Sequence, residues 1–408
     1  MTDKKKTGFE ALASKTSLYP QEQLQKVSTG KHSFFIGLPK EISLQENRIS
    51  LTPDAVALLV NNGHEVWVET KAGIGSKFSD KLYSDAGAKI VYSAQEVYKA
   101  EVILKIEPPT VEEIEMMRPG QALISAIQLG HLKAEYVQAL LKKKVTALAY
   151  EFIEDKVGGM PIIRAMSEIA GSTVMLIASE WLSTANNGKG VILGGITGVP
   201  PTKVVIIGAG TVAEYAARAA LGLGADVQIF DNHLYKLRRV KHLLGQQLYT
   251  STIDTITLSE TLRTADVVIG ALRAEKGRAR HVVTEEMVSK MKQDSLIIDL
   301  SIDQGGCIET SEITTLSKPV FRKHGVIHYC VPNVASRVAH TATTALSNIF
   351  TPTILRAAEE GGIEEMIFTH KWFMKGVYTY KGGLTKEHVA KKFGLKYKNI
   401  DLLIAARF

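Results

Sequence analysis

Gly208, Gly210 and Ala213 sit in the run Lys203-Val-Val-Ile-Ile-Gly-Ala-Gly-Thr-Val-Ala, an apolar strand that turns on glycine into a helix start. The spacing suits a pyrophosphate. Gly208 permits the tight turn, Gly210 lets phosphates approach the backbone, and Ala213 lets the helix pack close to the sheet. The helix N-terminus then offers N–H groups to the anion. The next strand, Asp226-Val-Gln-Ile-Phe, ends at Asp231. A carboxylate there can accept both ribose hydroxyls of an adenosine and repels a 2′-phosphate, which favours NAD over NADP. Strand before, helix after and acid beyond lift a weak motif to an expectation of dinucleotide binding.

Other polar residues fall just past apolar strands, where open parallel sheets bind ligands. In the first part of the chain these are Lys40, Glu41, Arg48, Lys105, Gln128 and His131; in the second they are Asp231, Asp303 and Asn333. Two cations opposite an acid and an amide suit a small anionic substrate held against a nicotinamide. Each residue also has a plainer use. Arg48 can pair with Glu46 or Glu41 on the surface, and Lys105 can snorkel outward. Asp303, followed by Gly305-Gly306, can simply form a turn. His131 can cap a loop, and Asp299 inside its strand reads as a structural hydrogen bonder. Arg273, Lys276, Arg278 and Arg280 make a basic loop, either solvated, near the cofactor phosphates or at a subunit contact.

The elements that must position these groups alternate strand and helix. Strands are expected at 33–37, 64–69, 100–105, 122–127 and 145–150, then at 203–207, 226–231, 265–270, 295–302 and 326–331. Thr52 and Pro53 open a helix as cap and first turn. Such alternation predicts an α/β fold of two doubly wound, Rossmann-like parallel sheets with a cleft between them. A helical stretch from Ile163 to about Thr184 connects the two. From about Thr341 the pattern is helical again, and it packs most economically back on the first sheet. The expected division is an arm at 1–32, a discontinuous substrate domain at 33–162 and 340–408, and an NAD-binding domain at 163–339.

Composition agrees. A chain of 408 residues with 45% hydrophobic side chains can bury two cores. No apolar run approaches about 18 residues, so no membrane span is expected. Cys307 and Cys330 lack metal-ligand spacing and read as reduced core thiols of a cytoplasmic protein. The net charge of +7 gathers in the first six residues and a lysine-rich tail without a nucleic-acid recognition module.

Several motifs in fixed order carry a resemblance: Gly37-Leu-Pro-Lys-Glu, Glu46-Asn-Arg-Ile-Ser-Leu-Thr-Pro, Met166-Ser-Glu-Ile-Ala-Gly, Gly194-Gly-Ile-Thr-Gly-Val-Pro-Pro, Ile302-Asp-Gln-Gly-Gly-Cys and His328-Tyr-Cys-Val-Pro-Asn. The first two resemble the opening signature shared by the alanine dehydrogenases and the NAD-binding domain of proton-pumping transhydrogenase. The other four resemble the alanine dehydrogenases in particular, and the resemblance runs from about residue 33 to the end. The resemblance implies that Arg48 and Lys105 hold the substrate carboxylate and carbonyl, and that Asp303 is a catalytic acid near the nicotinamide. It implies that Ser167, Thr211, Val212, Asp231, Lys236, Ala271, Leu272 and the Val331–Val334 turn, with Asn333, line the NAD site. It further implies a homo-oligomer acting on L-alanine or pyruvate. The segment Val334-Ala-Ser-Arg-Val-Ala-His departs from both relatives, and one position in the site departs from the dehydrogenases. Where the dehydrogenases carry a catalytic histidine, this chain has Gln128, as transhydrogenase relatives do. Glutamine can hydrogen-bond a carbonyl but cannot exchange a proton; His131, three residues on, is the candidate catalytic substitute, provided that the loop turns it inward. The expected activity is NAD-dependent oxidative deamination of L-alanine. The alternatives are a hydride-transfer module serving a partner subunit and a dehydrogenase for another 2-amino acid.

Overall fold

Val102, Ile103 and Leu104 are all buried because helices cover both faces of their strand, as expected of a central parallel strand. The same is true of Val204 to Ile207 in the second half. The computed structural model describes residues 32–130, 132–155, 157–273 and 281–405. The expected arm at 1–32 therefore lies, save for His32, outside the described residues.

In chain order the strands are β1 Phe35–Leu38, β2 Glu65–Glu69, β3 Lys89–Val91, β4 Val102–Leu104, β5 Ala122–Ser125 and β6 Thr146–Ala149. They continue as β7 Lys203–Ile207, β8 Asp226–Phe230, β9 Tyr249–Ser251, β10 Val267–Gly270, β11 Leu296–Asp299, β12 Val320–Lys323 and β13 Val326–Tyr329. The last two are β14 Val377–Tyr380 and β15 Gly383–Leu384. One sheet runs β15-β14-β6-β5-β4-β1-β2-β3 and the other β12-β13-β11-β10-β7-β8-β9. Pairing is parallel except for β14, β15 and β12. The two doubly wound sheets are thus present, each with an antiparallel edge.

Strand order reverses between β1 and β4 in one sheet and between β7 and β10 in the other. A crevice opens past the carboxyl ends at such a switch point. Lys105 follows β4 and the glycine turn follows β7, so topology alone sets both groups at crevices.

Two expectations need correction. The tail is not purely helical: Val377-Tyr-Thr-Tyr is a short β-branched and aromatic run, and it joins β6. The strand expected over 295–302 stops at Asp299, and Leu300–Gln304 turns as a 3₁₀ helix. Among the described residues one helix, Pro161–Leu182, is long and apolar enough to cross a bilayer by length and composition alone, yet it holds no uninterrupted apolar run of about 18 residues. Its Val174, Ile177, Ala178 and Leu182 lie in the core of the second sheet. Arg164, Glu168 and Glu180 interrupt its apolar character.

That helix meets the helix Thr211–Gly222 at Gly171, where a Cβ would stand 2.4 Å from the Val212 carbonyl oxygen. Only glycine allows this approach. Gly171→Ala is expected to cost about 1–3 kcal/mol through forced separation of the two helices, read as a lowered midpoint in urea with unchanged slope.

The long helix Ala339–Glu359 returns to the first sheet, with Leu346, Phe350 and Ile354 in its core. Hydroxyls of this C-terminal segment hold the Arg48 loop by its backbone. Asn47 N–H donates to Ser336 Oγ at 2.9 Å, Ile49 N–H to Thr343 Oγ1 at 3.0 Å and Thr52 N–H to Ser347 Oγ at 3.0 Å.

Candidate active site

Lys105 comes directly after β4, and its side chain has no exposed surface. It does not snorkel. The ammonium lies 3.0 Å from Glu41 Oε2 and 3.3 Å from Glu113 Oε1. Burial would lower its pKa, but the two carboxylates outweigh burial and raise it. Glu113 is placed by a capping box: Thr110 N–H donates to its Oε2 at 2.8 Å, and its own N–H donates to Thr110 Oγ1 at 3.2 Å. That leaves Oε1 for the lysine. Glu41 also accepts the N–H of Ile106 at 2.6 Å. Burial pushes its carboxyl above the usual range despite Lys105.

Arg48 is buried too, so its partner is not met on the surface. Glu46 takes the guanidinium from two sides, Nε at 2.8 Å and Nη2 at 2.5 Å. Nη1 donates to the Met166 sulfur at 3.4 Å, a weak acceptor that a carboxylate can displace. Glu107 Oε1 stands 3.8 Å from Nη2. Its carboxyl is pushed up to about 8, by burial first and then by the Glu46 charge, with Arg48 opposing. Glu46 is held below its ordinary value: burial acts upward, but the charge and hydrogen bonds of Arg48 prevail. Gln128 donates through Nε2 to Glu107. Its backbone is left-handed at φ 48°. Glu151 secures this turn by accepting the N–H of Ile127 at 2.7 Å and of Gln128 at 3.2 Å. His131 lies outside the described residues.

Asn333 joins the two sheets. Its Nδ2 donates to Glu46 Oε2 at 2.7 Å, and its N–H donates to Asp303 Oδ1 at 3.1 Å. The residue is left-handed, φ 54°, a conformation asparagine tolerates better than most. Asp303 is exposed in the turn after β11. Lys105, Arg48, Gln128, Asn333 and Asp303 therefore form one linked group, and Glu41, Glu107 and Glu46 are the links. Of these links, sequence reasoning gave Glu41 as a strand-end residue and, like Glu46, as a surface partner for Arg48. It missed Glu107 and Glu113. The Thr110-x-x-Glu113 capping pattern was the available clue for one; Glu107, two residues past Lys105, was the other.

The second group lies at the ends of β7, β8 and β10. Gly208 has φ 113°, and a Cβ there would stand 2.4 Å from the Ala271 carbonyl oxygen. Gly210 caps the helix Thr211–Gly222, and a Cβ on it would meet nothing within 4 Å. The open space at this helix N-terminus fits a pyrophosphate. Ala213 is fully buried against the sheet. Thr211 and Val212, in the first turn, are half-buried, as are Ala271 and Leu272 past β10. Ser167 lies one turn before Gly171 on the helix that abuts Val212. Asp231 is buried and accepts from Ala209 N–H and His233 N–H, both at 2.8 Å. Burial acts to raise its pKa, but these donors hold it below the ordinary value. Lys236 is half-buried on the helix Leu234–Leu244 beyond it. In the basic loop only Arg273 is among the described residues, and it is exposed. Asp299 accepts from Ser301 N–H, Cys307 N–H and Ser311 Oγ at 2.8–3.0 Å, the structural role expected of it.

Asp231→Asn keeps an acceptor for Ala209 and removes the charge. It is expected to raise NADPH affinity at least about fivefold relative to NADH, since one lost charge repulsion near a phosphate is worth about 1 kcal/mol or more. Titration of NADH and NADPH fluorescence measures the ratio.

This geometry has counterparts. Residues 37–170 match the family described as alanine dehydrogenase/PNT, N-terminal domain, and residues 174–387 match its C-terminal domain. Alanine dehydrogenase of Bacillus subtilis (strain 168) is 40% identical over 89% of this chain and 95% of its own length. A solved L-alanine dehydrogenase superposes with a TM-score of 0.82 at 36% identity, covering 88% of this chain and 99% of that one. A transhydrogenase from Sinorhizobium meliloti gives 0.74 at 25% identity, covering 86% and 99%. With both domain profiles spanning the two sheets and this identity over nearly the whole length, the chain belongs to the alanine dehydrogenase/PNT family.

Proposed function

We propose that this chain catalyses the NAD-dependent oxidative deamination of L-alanine to pyruvate and ammonium. The observation that carries the reading is the hydrogen-bonded path from Arg48 through Glu46 and Asn333 to Asp303, which ties a cationic pocket on one sheet to an acid on the other. Gly208, Gly210, Thr211, Val212 and Asp231 would hold NAD, with Ser167, Lys236, Ala271, Leu272 and Asn333 around it. The bound cofactor supplies a hydride acceptor.

The protein does the rest. Arg48 offers its Nη1 edge to the substrate carboxylate. Lys105 has three N–H donors and two carboxylate partners, so one donor remains to polarise the reacting nitrogen or oxygen. Asp303 stabilises positive charge as the imine forms. Closure of the two units over the substrate excludes water from the hydride step. Residues 33–162 and 340–408 act as the substrate unit and 163–339 as the nucleotide unit, a division supported by β14 and β15 joining the first sheet.

The enzyme works as a cytoplasmic homo-oligomer. Two buried cysteines without a disulfide support the compartment. The exposed Leu176, Ile192, Ile196 and Val199, gathered on the connecting helix and the loop after it, support self-association.

The test is NADH formation from L-alanine at alkaline pH, and its consumption with pyruvate and ammonium. Turnover both ways, with L-alanine preferred over other 2-amino acids, is expected. A second reading rests on Gln128: a hydride carrier for a partner subunit. NADH binding without turnover of any amino acid would favour it.

A further inference from the structure

The site needs a group that exchanges protons, and Gln128 cannot. The structure puts a carboxyl in contact with it. Glu107 receives the Gln128 amide on one oxygen and lies 3.8 Å from the Arg48 guanidinium with the other. Its side chain is 13% exposed. It is the one member of the carboxylate chain that reaches Arg48 and Gln128 together, among the described residues. Glu41 and Glu113 are committed to Lys105, and Glu46 to Arg48 and Asn333.

We propose that Glu107 is the proton-exchanging group of this site, aimed by Gln128 at the reacting carbon and nitrogen of the substrate. The proposal rests on the amino-acid dehydrogenase reading. The substrate reacts as the neutral amine, its ammonium proton having passed to solvent, and hydride removal then leaves an iminium ion. Ionised Glu107 takes a proton from water as its oxygen bonds to the iminium carbon, giving a neutral carbinolamine and Glu107 as the acid. Glu107 then returns that proton to the amine nitrogen. The C–N bond breaks, nitrogen keeps the bonding pair, and the hydroxyl proton passes to Glu107. Pyruvate, ammonia and protonated Glu107 result; loss of that proton to solvent regenerates the carboxylate, and the released ammonia becomes ammonium. The reverse reaction begins with Glu107 protonated.

The groups facing Glu107 make this cycle workable near neutral pH. Arg48 favours the carboxylate, whereas Glu46 and Glu41 from the loop after β1, together with burial, favour the acid. Tyr150, at the end of β6, faces it as a neutral phenol, since burial pushes its ionisation well up. The balance leaves the carboxyl titrating at about 8.

Two measurements test this. In infrared difference spectra, raising the pH through about 8 should remove a carboxylic-acid C=O band from the wild-type protein, and Glu107→Gln should lack that band. In kinetics, wild-type oxidation should rise and reduction should fall through the same pH. Glu107→Gln should lose at least about 10²-fold in kcat together with both limbs, while NADH affinity stays within about twofold. Adding Gln128→His to Glu107→Gln should restore at least about tenfold, with a midpoint in the histidine range. A folded Glu107→Gln protein that binds NADH and keeps the wild-type rate and pH profile overturns the proposal. If the wild type turns over no amino acid, the dehydrogenase reading fails separately; the infrared band then decides whether Glu107 holds a proton near neutral pH, and its absence overturns the assignment.

Discussion

Lys105→Ala is expected to lower alanine turnover by about 10²–10³-fold or more, the loss typical of a positioned charge-stabilising donor, while NADH affinity stays within about twofold. The cofactor group and Lys105 stand on different sheets, so loss of one should spare the other. The same substitution should destabilise the protein. It strands Glu41 and Glu113 without their cation in a buried site, a defect worth about 3–5 kcal/mol. The pH dependence carries a sign. Lys105 has a raised folded pKa, so its contribution is fully present below its unfolded pKa and fades only as pH climbs through the folded one. Glu41 also has a raised folded pKa, so the folded state binds its proton more tightly than the unfolded chain. The variant should therefore recover stability relative to wild type as pH falls through that raised pKa. Urea unfolding at a series of pH values, with NADH titration at each, separates the catalytic loss from the structural one. Wild-type turnover in a folded variant would remove Lys105 from the mechanism.

Gly210→Val is expected to abolish NADH binding, by at least about 10²-fold, with a nearly unchanged unfolding midpoint. A Cβ at Gly210 meets nothing within 4 Å, so the protein itself has room for the side chain. The room is where a pyrophosphate would lie against the helix N-terminus. Gly208→Ala supplies the contrast. At φ 113°, with the Ala271 carbonyl 2.4 Å from the new Cβ, it should lower stability as well as binding, by the roughly 1–3 kcal/mol that such backbone strain costs. Fluorescence titration beside thermal melts tells the two apart. Tight NADH binding by Gly210→Val would place the cofactor elsewhere.

Much of this site is legible in the chain because the topology puts it just after apolar strands. Lys105, Gln128, Gly208, Asp231 and Asp303 each follow such a run, and the two strand-order reversals bring their turns to crevices. What sequence reasoning missed is the state of those groups. Lys105 ending an apolar strand reads as a snorkelling lysine until Glu41, 64 residues upstream, is known to lie 3.0 Å away. Arg48 reads as a surface residue because the cover over its loop comes from Ser336, Thr343 and Ser347, nearly 300 residues later. Local periodicity has no access to contacts of that span. The tail strands were hidden for a related reason. Val377 to Tyr380 is only four residues long and becomes a strand through β6, so tertiary pairing decides it rather than propensity.

The most direct test of the account is the fate of the hydrogen on the substrate Cα. Purified protein is given NAD and L-alanine deuterated at C2, and the nicotinamide product is examined by mass spectrometry beside the rate of formation. The account predicts NADH carrying one deuterium, pyruvate in equal amount, and loss of both with Lys105→Ala. Protein that binds NADH yet forms no deuterated product from alanine would contradict the proposed function.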